Sequence, residues 1–330
     1  MLIHPPGAGS PDFLEDFLES NMSVLTVIPK RPSSRPLAHL RAMVLLGGSV
    51  RPGLFGTAIG RLVFQLPLEA NCTILDSWAK EARELASLAE QVVSVRVMID
   101  KAAAQPLLIA NGNNVEIERD PFDFRGTGGV LRDLASQYSP DDFLLVANAA
   151  QILCEPLADL ASNLAAMGGD VSIVSHLDGT PSGLMLVRCG ALNSIPAEGF
   201  VDMKEQALPA IAKEHRVTVL HRRHPSAVPV RTLGDYITAL RQHYQLQAGK
   251  IASLHPFAET WEPAFSIVEE GATVDPSAKV HDAVVLRGGR AEAGSVAVQS
   301  IVCPGGVLKR NQVQIDTLVR AEIREQKNAR

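Results

Sequence analysis

The chain has no excess of positive charge. Its 31 Lys and Arg are outnumbered by 36 Asp and Glu, a net charge of −5. That argues against a general nucleic-acid binder, which needs a basic face to neutralise phosphates. No two cysteines are spaced C-x-x-C. Cys72, Cys154, Cys189 and Cys303 lie far apart, the first three in or beside apolar runs. They read as reduced structural thiols of a cytoplasmic protein. No apolar run approaches the roughly 18 residues of a membrane span. The first residues, Met1-Leu2-Ile3-His4-Pro5-Pro6, lack a basic segment and a long apolar core, so no secretory signal is expected. What is present is a globular composition, 46% apolar and 20% charged over 330 residues, enough for one large or two to three ordinary domains.

The chain is organised around Arg41-Ala42-Met43-Val44-Leu45-Leu46-Gly47-Gly48-Ser49-Val50-Arg51. A short buried strand over 43–46 stops at paired glycines, which can take positive φ and need no Cβ clearance. Turned backbone N–H groups there make an anion-binding concavity, and Arg51 is a fitting phosphate partner. Before this stretch, residues 1–39 read as an extension. Ser10-Pro11 starts a short acidic helix with Phe13, Leu14, Phe17 and Leu18 on one face, packed on the domain or docking a partner. A strand is expected over 23–28 and a basic, proline-broken linker over 30–36.

From residue 40 to 245, strands alternate with helices. Strands are expected at 43–46, 92–99, 106–109, 115–117, 143–147, 171–174 and 184–187. Helices are expected at 77–91, from Gly126, at 157–167, 207–212 and 236–244. Residues 52–60 read as a polar, glycine-rich mobile loop, Asn111-Gly112 and Asp178-Gly179 as turns, and His221-Arg222-Arg223-His224 as a basic loop. Continuous apolar strands among amphipathic helices imply a mainly parallel sheet covered on both faces. Ligands bind such sheets at the C-terminal ends of strands, here the glycine loop and the loop after Ala147. Residues 246–265 read as a connector. From 266 to 320, Val274, Val280 and Leu286 recur every six residues. After a phase change Ile301, Val307, Val313 and Val319 do the same, while Glu292 interrupts. A hexapeptide period predicts two or three coils of a parallel β-helix. Residues 321–330 are a charged tail.

The order of these motifs resembles the sugar-phosphate nucleotidyltransferases, the nucleoside-diphosphate-sugar pyrophosphorylases that include mannose-1-phosphate guanylyltransferases and glucose-1-phosphate thymidylyltransferases. The motifs are Gly47-Gly48 with Arg51, Gly126-Thr127-Gly128-Gly129-Val130-Leu131, Asp141-Asp142-Phe143-Leu144-Leu145-Val146 closing on Asn148, and a Gly234-Asp235-Tyr236 segment before the hexapeptide coils. The resemblance covers roughly residues 40–320. It implies a Rossmann-like, GT-A-like α/β domain with a mainly parallel sheet and a short C-terminal left-handed parallel β-helix. It implies nucleotide contacts from Leu46, Gly47, Gly48, Ser49, Arg51, Gly126, Thr127 and Asn148.

The departures lie where the family does its chemistry. Its phosphate-binding lysine aligns with Val63, leaving Arg61 as a substitute cation beside Arg51. Its magnesium aspartates fall on Ala150 and Thr232, with Asp235 as a substitute three residues away; Asp178 and the Asp141-Asp142 pair are further substitutes, but Asp235 reads more readily as a helix cap, Asp178 as a turn residue and Asp141-Asp142 as solvated. The insertion that forms much of the sugar-phosphate pocket is reduced to Ser175–Ser182. The family's reaction, attack of a sugar-1-phosphate on a nucleoside triphosphate, depends on positioning and charge neutralisation, each contact worth on the order of 3 kcal/mol. The expectation is therefore a catalytically impaired protein, a nucleotide-sugar sensor or a structural or regulatory subunit. The alternative is an active enzyme with a rebuilt magnesium site. Expected partners are a nucleotide or nucleotide sugar and a second subunit, either a copy of the chain or an active homologue, with neither nucleic acid nor membrane.

Overall fold

The apolar run ahead of the paired glycines is the centre of a seven-stranded sheet. Its strands are β1 (Leu40–Leu46), β2 (Ser94–Ile99), β3 (Val115–Arg119), β4 (Phe143–Asn148), β5 (Val171–His176), β6 (Pro181–Arg188) and β7 (Val217–Arg222), in the order β7-β5-β6-β4-β1-β2-β3. A computed structural model describes residues 37–48, 54–101, 103, 115–120, 125–247 and 264–322. The expected N-terminal helix, strand and linker lie outside the described residues. So do the expected strand at 106–109, the turn at Asn111-Gly112, most of the connector and most of the tail. All seven strands run parallel except β6, which is antiparallel to both β4 and β5. Successive side chains of β1 are buried whichever way they point, Met43, Val44 and Leu45 alike, as a sheet with both faces covered requires.

Helices cover the two faces. On one lie α1 (Leu54–Ile59), α2 (Ile74–Ala89), α4 (Leu157–Ala166) and α5 (Leu233–Gln247), whose Phe55, Trp78, Leu160 and Tyr236 share a core with Met43, Leu45 and Val97. On the other, α3 (Gly126–Ala135) packs Val130, Leu131 and Leu134 against Ala42, Val44 and Val146. Helix α2 shows how the sequence sets its start. Thr73 accepts from the Asp76 amide at 3.1 Å and Asp76 accepts from the Thr73 amide at 2.9 Å, a reciprocal capping box. From there Ile74, Trp78, Ala82 and Leu85 are buried along one face.

Two expectations in this domain are corrected. The loop expected over 52–60 contains α1, because Phe55 and Ile59 are buried and Phe55 lies 6.5 Å from the Tyr236 ring. The basic loop expected at His221 is partly β7, an edge strand paired in parallel with β5. Thr218 is the one buried residue of β7, and the Val217–Leu220 half of the strand runs on without a break into the basic His221-Arg222. The four thiols are unpaired, and burial pushes each up to about 11, far from the thiolate that would make them reactive.

Residues 266–319 form three short parallel sheets stacked coil on coil. Ser266 pairs with Ala283, Thr273 with Arg290 and Lys279 with Val296, and each series continues into the next coil. The repeat is seventeen residues, one short of three hexads, and this produces the phase change in the sequence. It also corrects the interior. Ala291 points inward where the six-residue count reached Glu292, and Leu308 where it reached Val307. Val307 and Val313, counted as core, are 38% and 57% exposed. Ile301 is buried, but on the outer side of its sheet, where it joins Ile267 and Val284 in the core shared with α5.

Two ion pairs, one buried and one with its arginine partly exposed, fasten the coils to the sheet domain. Arg61 holds Glu269 with both guanidinium nitrogens, at 2.7 and 3.0 Å, and Glu269 also accepts the Arg287 amide at 2.7 Å. Arg241 on α5 holds Asp282, which accepts the amides of Ala264 and Phe265. The Arg61 and Glu269 side chains are 7% and 12% exposed. Removing one partner of such a pair strands a buried charge, at a cost of about 3 kcal/mol or more. Glu269→Ala is therefore expected to lower the denaturation free energy by about that amount, and Arg61→Met combined with Glu269→Leu by clearly less than the single change. Equilibrium unfolding in urea measures both.

Candidate functional site

The sheet reverses its order between β1 and β4. From β1 the chain moves outward to β2 and β3, and β4 begins the other half. At their C-terminal ends the two strands stay in register, Leu46 opposite Asn148, and the Ala149 amide donates to the Leu46 carbonyl at 3.0 Å. Such a switch point opens a crevice for a ligand. A cavity of about 690 Å³ lies there, lined by Leu46, Gly47, Gly48, Thr127, Asn148 and Ala150 among others. Six positions singled out from the sequence thus meet in one place. Ser49 and Arg51 lie outside the described residues.

The two glycines of the loop differ. Gly47 donates to the Met98 carbonyl at 2.8 Å, and a Cβ on it would sit 2.7 Å from the Phe64 ring. Its smallness serves packing. Gly48 has φ +133° and nothing within 4 Å of its would-be Cβ, so it supplies the left-handed turn and the open approach expected of a ligand-facing loop.

The Gly126-Thr127-Gly128-Gly129 motif is explained largely by the fold. A Cβ on Gly126, at φ +69°, would stand 2.4 Å from the Val201 carbonyl oxygen, and that oxygen accepts the Gly128 amide at 2.9 Å. The glycines let the Val201 segment close onto the start of α3. Gly126 is buried behind the cavity wall, and only Thr127 of the motif reaches the lining. The Thr127 hydroxyl accepts the Met203 amide at 3.0 Å and so fixes the segment that forms the cavity's far side.

The carboxylates near the cavity are committed to the backbone. Ala150 contributes a methyl group, its amide donating to Asn148 Oδ1 and its carbonyl accepting from Val230, each at 2.9 Å. Thr232 and Asp235 form the capping box of α5. Asp235 Oδ2 accepts the amides of Arg231 and Thr232 at 3.1 and 3.0 Å, while Thr232 Oγ1 accepts the Asp235 amide. Asp202, the one carboxylate among the described cavity-lining residues, caps the next turn by accepting the Lys204 and Glu205 amides on Oδ1 at 2.8 and 2.9 Å. Asp178 accepts the Thr180 amide in the β5–β6 turn, which holds its carboxyl below the usual range. The Asp141-Asp142 pair sits at the far end of β4. There Asp142, expected as a solvated turn residue, is buried and takes Arg41 Nε at 2.8 Å. Among the described residues no three His, Cys, Asp or Glu side chains gather as metal ligands would.

The cations are distributed differently from the sequence expectation. Arg61 lines the cavity but is bound by Glu269, so it is not a spare charge for phosphate. Val63 lies nearby as an apolar wall. His221, Arg223 and His224 are not lining residues, and Arg222 pairs with Glu155 at 3.3 Å. Two cations that sequence reading missed do line the cavity: Lys204 and Arg231. Arg231 was adjacent to Thr232 in the sequence, and the signal was a cation next to the position where the resemblance places an aspartate. Lys204 had no signal, because only the fold brings 202–208 over the sheet. The deeper wall is apolar, with Val146, Ile173, Met185, Met203 and Leu208.

No family model and no curated protein matches the chain. Among solved structures, HddC from Yersinia pseudotuberculosis overlaps 62% of this chain and 100% of its own, at 13% identity and a TM-score of 0.42. The same protein complexed with GMP-PN gives 12% identity and 0.43, with the same coverage. A homologue of Mycobacterium tuberculosis rv0371c from Mycobacterium sp. strain JC1 overlaps 63% of this chain and 100% of its own, at 17% identity and 0.42. Overlap at this level leaves the chemistry to be read from the residues themselves.

The Asp235 assignment has a direct consequence. Asp235→Ala is expected to cost about 1 kcal/mol, the usual worth of a helix cap, in unfolding experiments, and to cost the same in magnesium as in chelator. A metal ligand would instead lose a magnesium-dependent increment.

Proposed function

We propose that this chain keeps a nucleotidyltransferase-like site for a nucleotide or nucleotide sugar but does not transfer nucleotides, and that it acts as a sensor or as a structural or regulatory subunit. One observation carries this reading. The cavity at the switch point gathers Gly48, Thr127 and Asn148, while among the described residues Asp202 in its lining and Asp235 beside it each cap backbone amides through one carboxylate oxygen.

Magnesium would need oxygen donors, commonly one or two carboxylates together with phosphates. The donor set fits it poorly: Ala150 offers a methyl, the Thr232 hydroxyl already accepts an amide, Asp202 and Asp235 each commit one carboxylate oxygen to two amides and keep a single oxygen apiece, and among the described residues no three such ligands gather. No transfer step is therefore routed through a metal. What the residues can do is bind. The apolar wall of Val146, Ile173 and Met185 suits the flat, weakly polar part of a nucleotide, and Gly48 leaves room for its phosphates.

The coil stack is read, as part of the same proposal, as a left-handed β-helix used for assembly. Its support is the outer face of the last coil, where Val313 and Ile315 are each 57% exposed, an arrangement more usual at a subunit contact than on a free surface. The expected assembly is with a second copy or with an active homologue.

Isothermal titration with nucleoside diphosphates and nucleotide sugars tests the proposal. Binding is expected both with magnesium and with chelator, and incubation with nucleoside triphosphates and sugar-1-phosphates should release no pyrophosphate. Magnesium-dependent pyrophosphate release would restore the active enzyme with a rebuilt metal site. Absence of all binding would leave only a scaffold.

A further inference from the structure

The cavity has lost the acids that would hold a metal, yet its charge has not simply disappeared. Among the described residues three basic side chains line it: Arg61, Lys204 and Arg231. Arg61 is neutralised by the bidentate Glu269 pair. The only lining carboxylate among the described residues, Asp202, gives its Oδ1 to the Lys204 and Glu205 amides. Lys204 has a loose contact with Glu205 at 3.8 Å, with both side chains about half exposed or more, and such pairs contribute little. The Arg231 guanidinium is exposed and makes no hydrogen bond or ion pair among the described residues.

The backbone around Arg231 is held firmly even though its side chain is not. The preceding Val230 amide donates to the Ala150 carbonyl at 2.9 Å, and the Arg231 amide is held by Asp235. Arg231 is thus fixed beside both positions that carry no metal acid, tied to Ala150 through Val230 and adjacent to Thr232. Lys204 is fixed on the opposite segment by the Asp202 cap and by Thr127 holding the Met203 amide.

We infer that Lys204 and Arg231 bind a diphosphate directly, in the place of a carboxylate-held metal, so that the ligand class is a nucleoside diphosphate or its sugar ester. The inference rests on the proposed nucleotide site and adds which groups hold the phosphates. The substitution is coherent in charge. Two aspartates with one divalent cation are neutral before phosphate arrives, whereas one arginine and one lysine without them are positive. A planar guanidinium can hold two oxygens of one phosphate group, and a second cation, Lys204, leaves the second phosphate a partner of its own.

The test is titration of the full chain with ADP, GDP, CDP, UDP and inorganic pyrophosphate, each in chelator and in magnesium. At least one nucleoside diphosphate is expected to bind at least as tightly in chelator as in magnesium, with affinity falling as salt rises. Arg231→Ala should weaken it roughly tenfold, the usual cost of one charged hydrogen-bond contact, and Lys204→Ala by several-fold. Arg231→Lys should retain part of the affinity. Pyrophosphate alone should bind more weakly and lose the same factor on Arg231→Ala. Both residues are exposed, so the unfolding midpoint of each variant should match the parent chain and separate lost contact from lost fold. Nucleotide binding that needs magnesium, or that is unchanged in both alanine variants, overturns this inference and leaves the nucleotide site standing. Failure of every probe to bind the parent chain overturns both.

Discussion

The parallel pairing of β1 with β4, closed by the Ala149 amide on the Leu46 carbonyl, is the constraint that the rest of the molecule follows. It requires both strands to be buried on both faces, which fixes their unbroken apolar composition and the two helical layers. It brings the end of the glycine loop and the end of β4 side by side. It also sets the sheet's reversal, and so the crevice, at the only point where those two loops can face one ligand. The antiparallel β6 and the short turn before it then leave one wall of the crevice open to the segment from Asp202 to Leu208.

Capping competes with coordination in this site. Asp202 and Asp235 each accept two backbone amides at the start of a helical turn. A carboxylate used this way stabilises local structure by about 1 kcal/mol and has fewer lone pairs to offer a metal. The same residue type could serve either purpose, and the orientation of its carboxylate decides which. The Arg61–Glu269 pair makes a parallel case for cations. A guanidinium at the cavity edge is assigned to holding the coil stack rather than to phosphate. Stability and binding draw on the same few charges, and the geometry divides them.

Much of the fold was legible in the sequence. The strands that are continuous apolar runs, β1, β4 and β5, could be located, as could the helices with clear caps or periodicity. What was not read was structure whose local signal is mixed. Strand β7 opens on Val217-Thr218-Val219-Leu220 but ends on the basic His221-Arg222 and is only partly buried. Helix α1 hides among glycines, and its burial comes from Tyr236, far along the chain. The coils illustrate a different limit. A seventeen-residue repeat looks like hexads that slip, so counting sixes chose Val307 over Leu308 and Glu292 over Ala291. At the site, the motifs pointed to the right strand ends, yet the reasons for individual glycines were not local. Gly47 answers to Phe64 and Gly126 to Val201, contacts that no spacing rule contains. Lys204 was invisible for the same reason, being brought to the cavity only by the chain's return over the sheet.

A crystal grown with a bound nucleoside diphosphate and manganese, measured at the manganese edge, addresses the central claim most directly. The account predicts diphosphate density against Arg231 and Lys204 and no anomalous peak beside Ala150 and Thr232. A manganese peak there, bridging phosphate oxygens to a side-chain carboxylate, would contradict it.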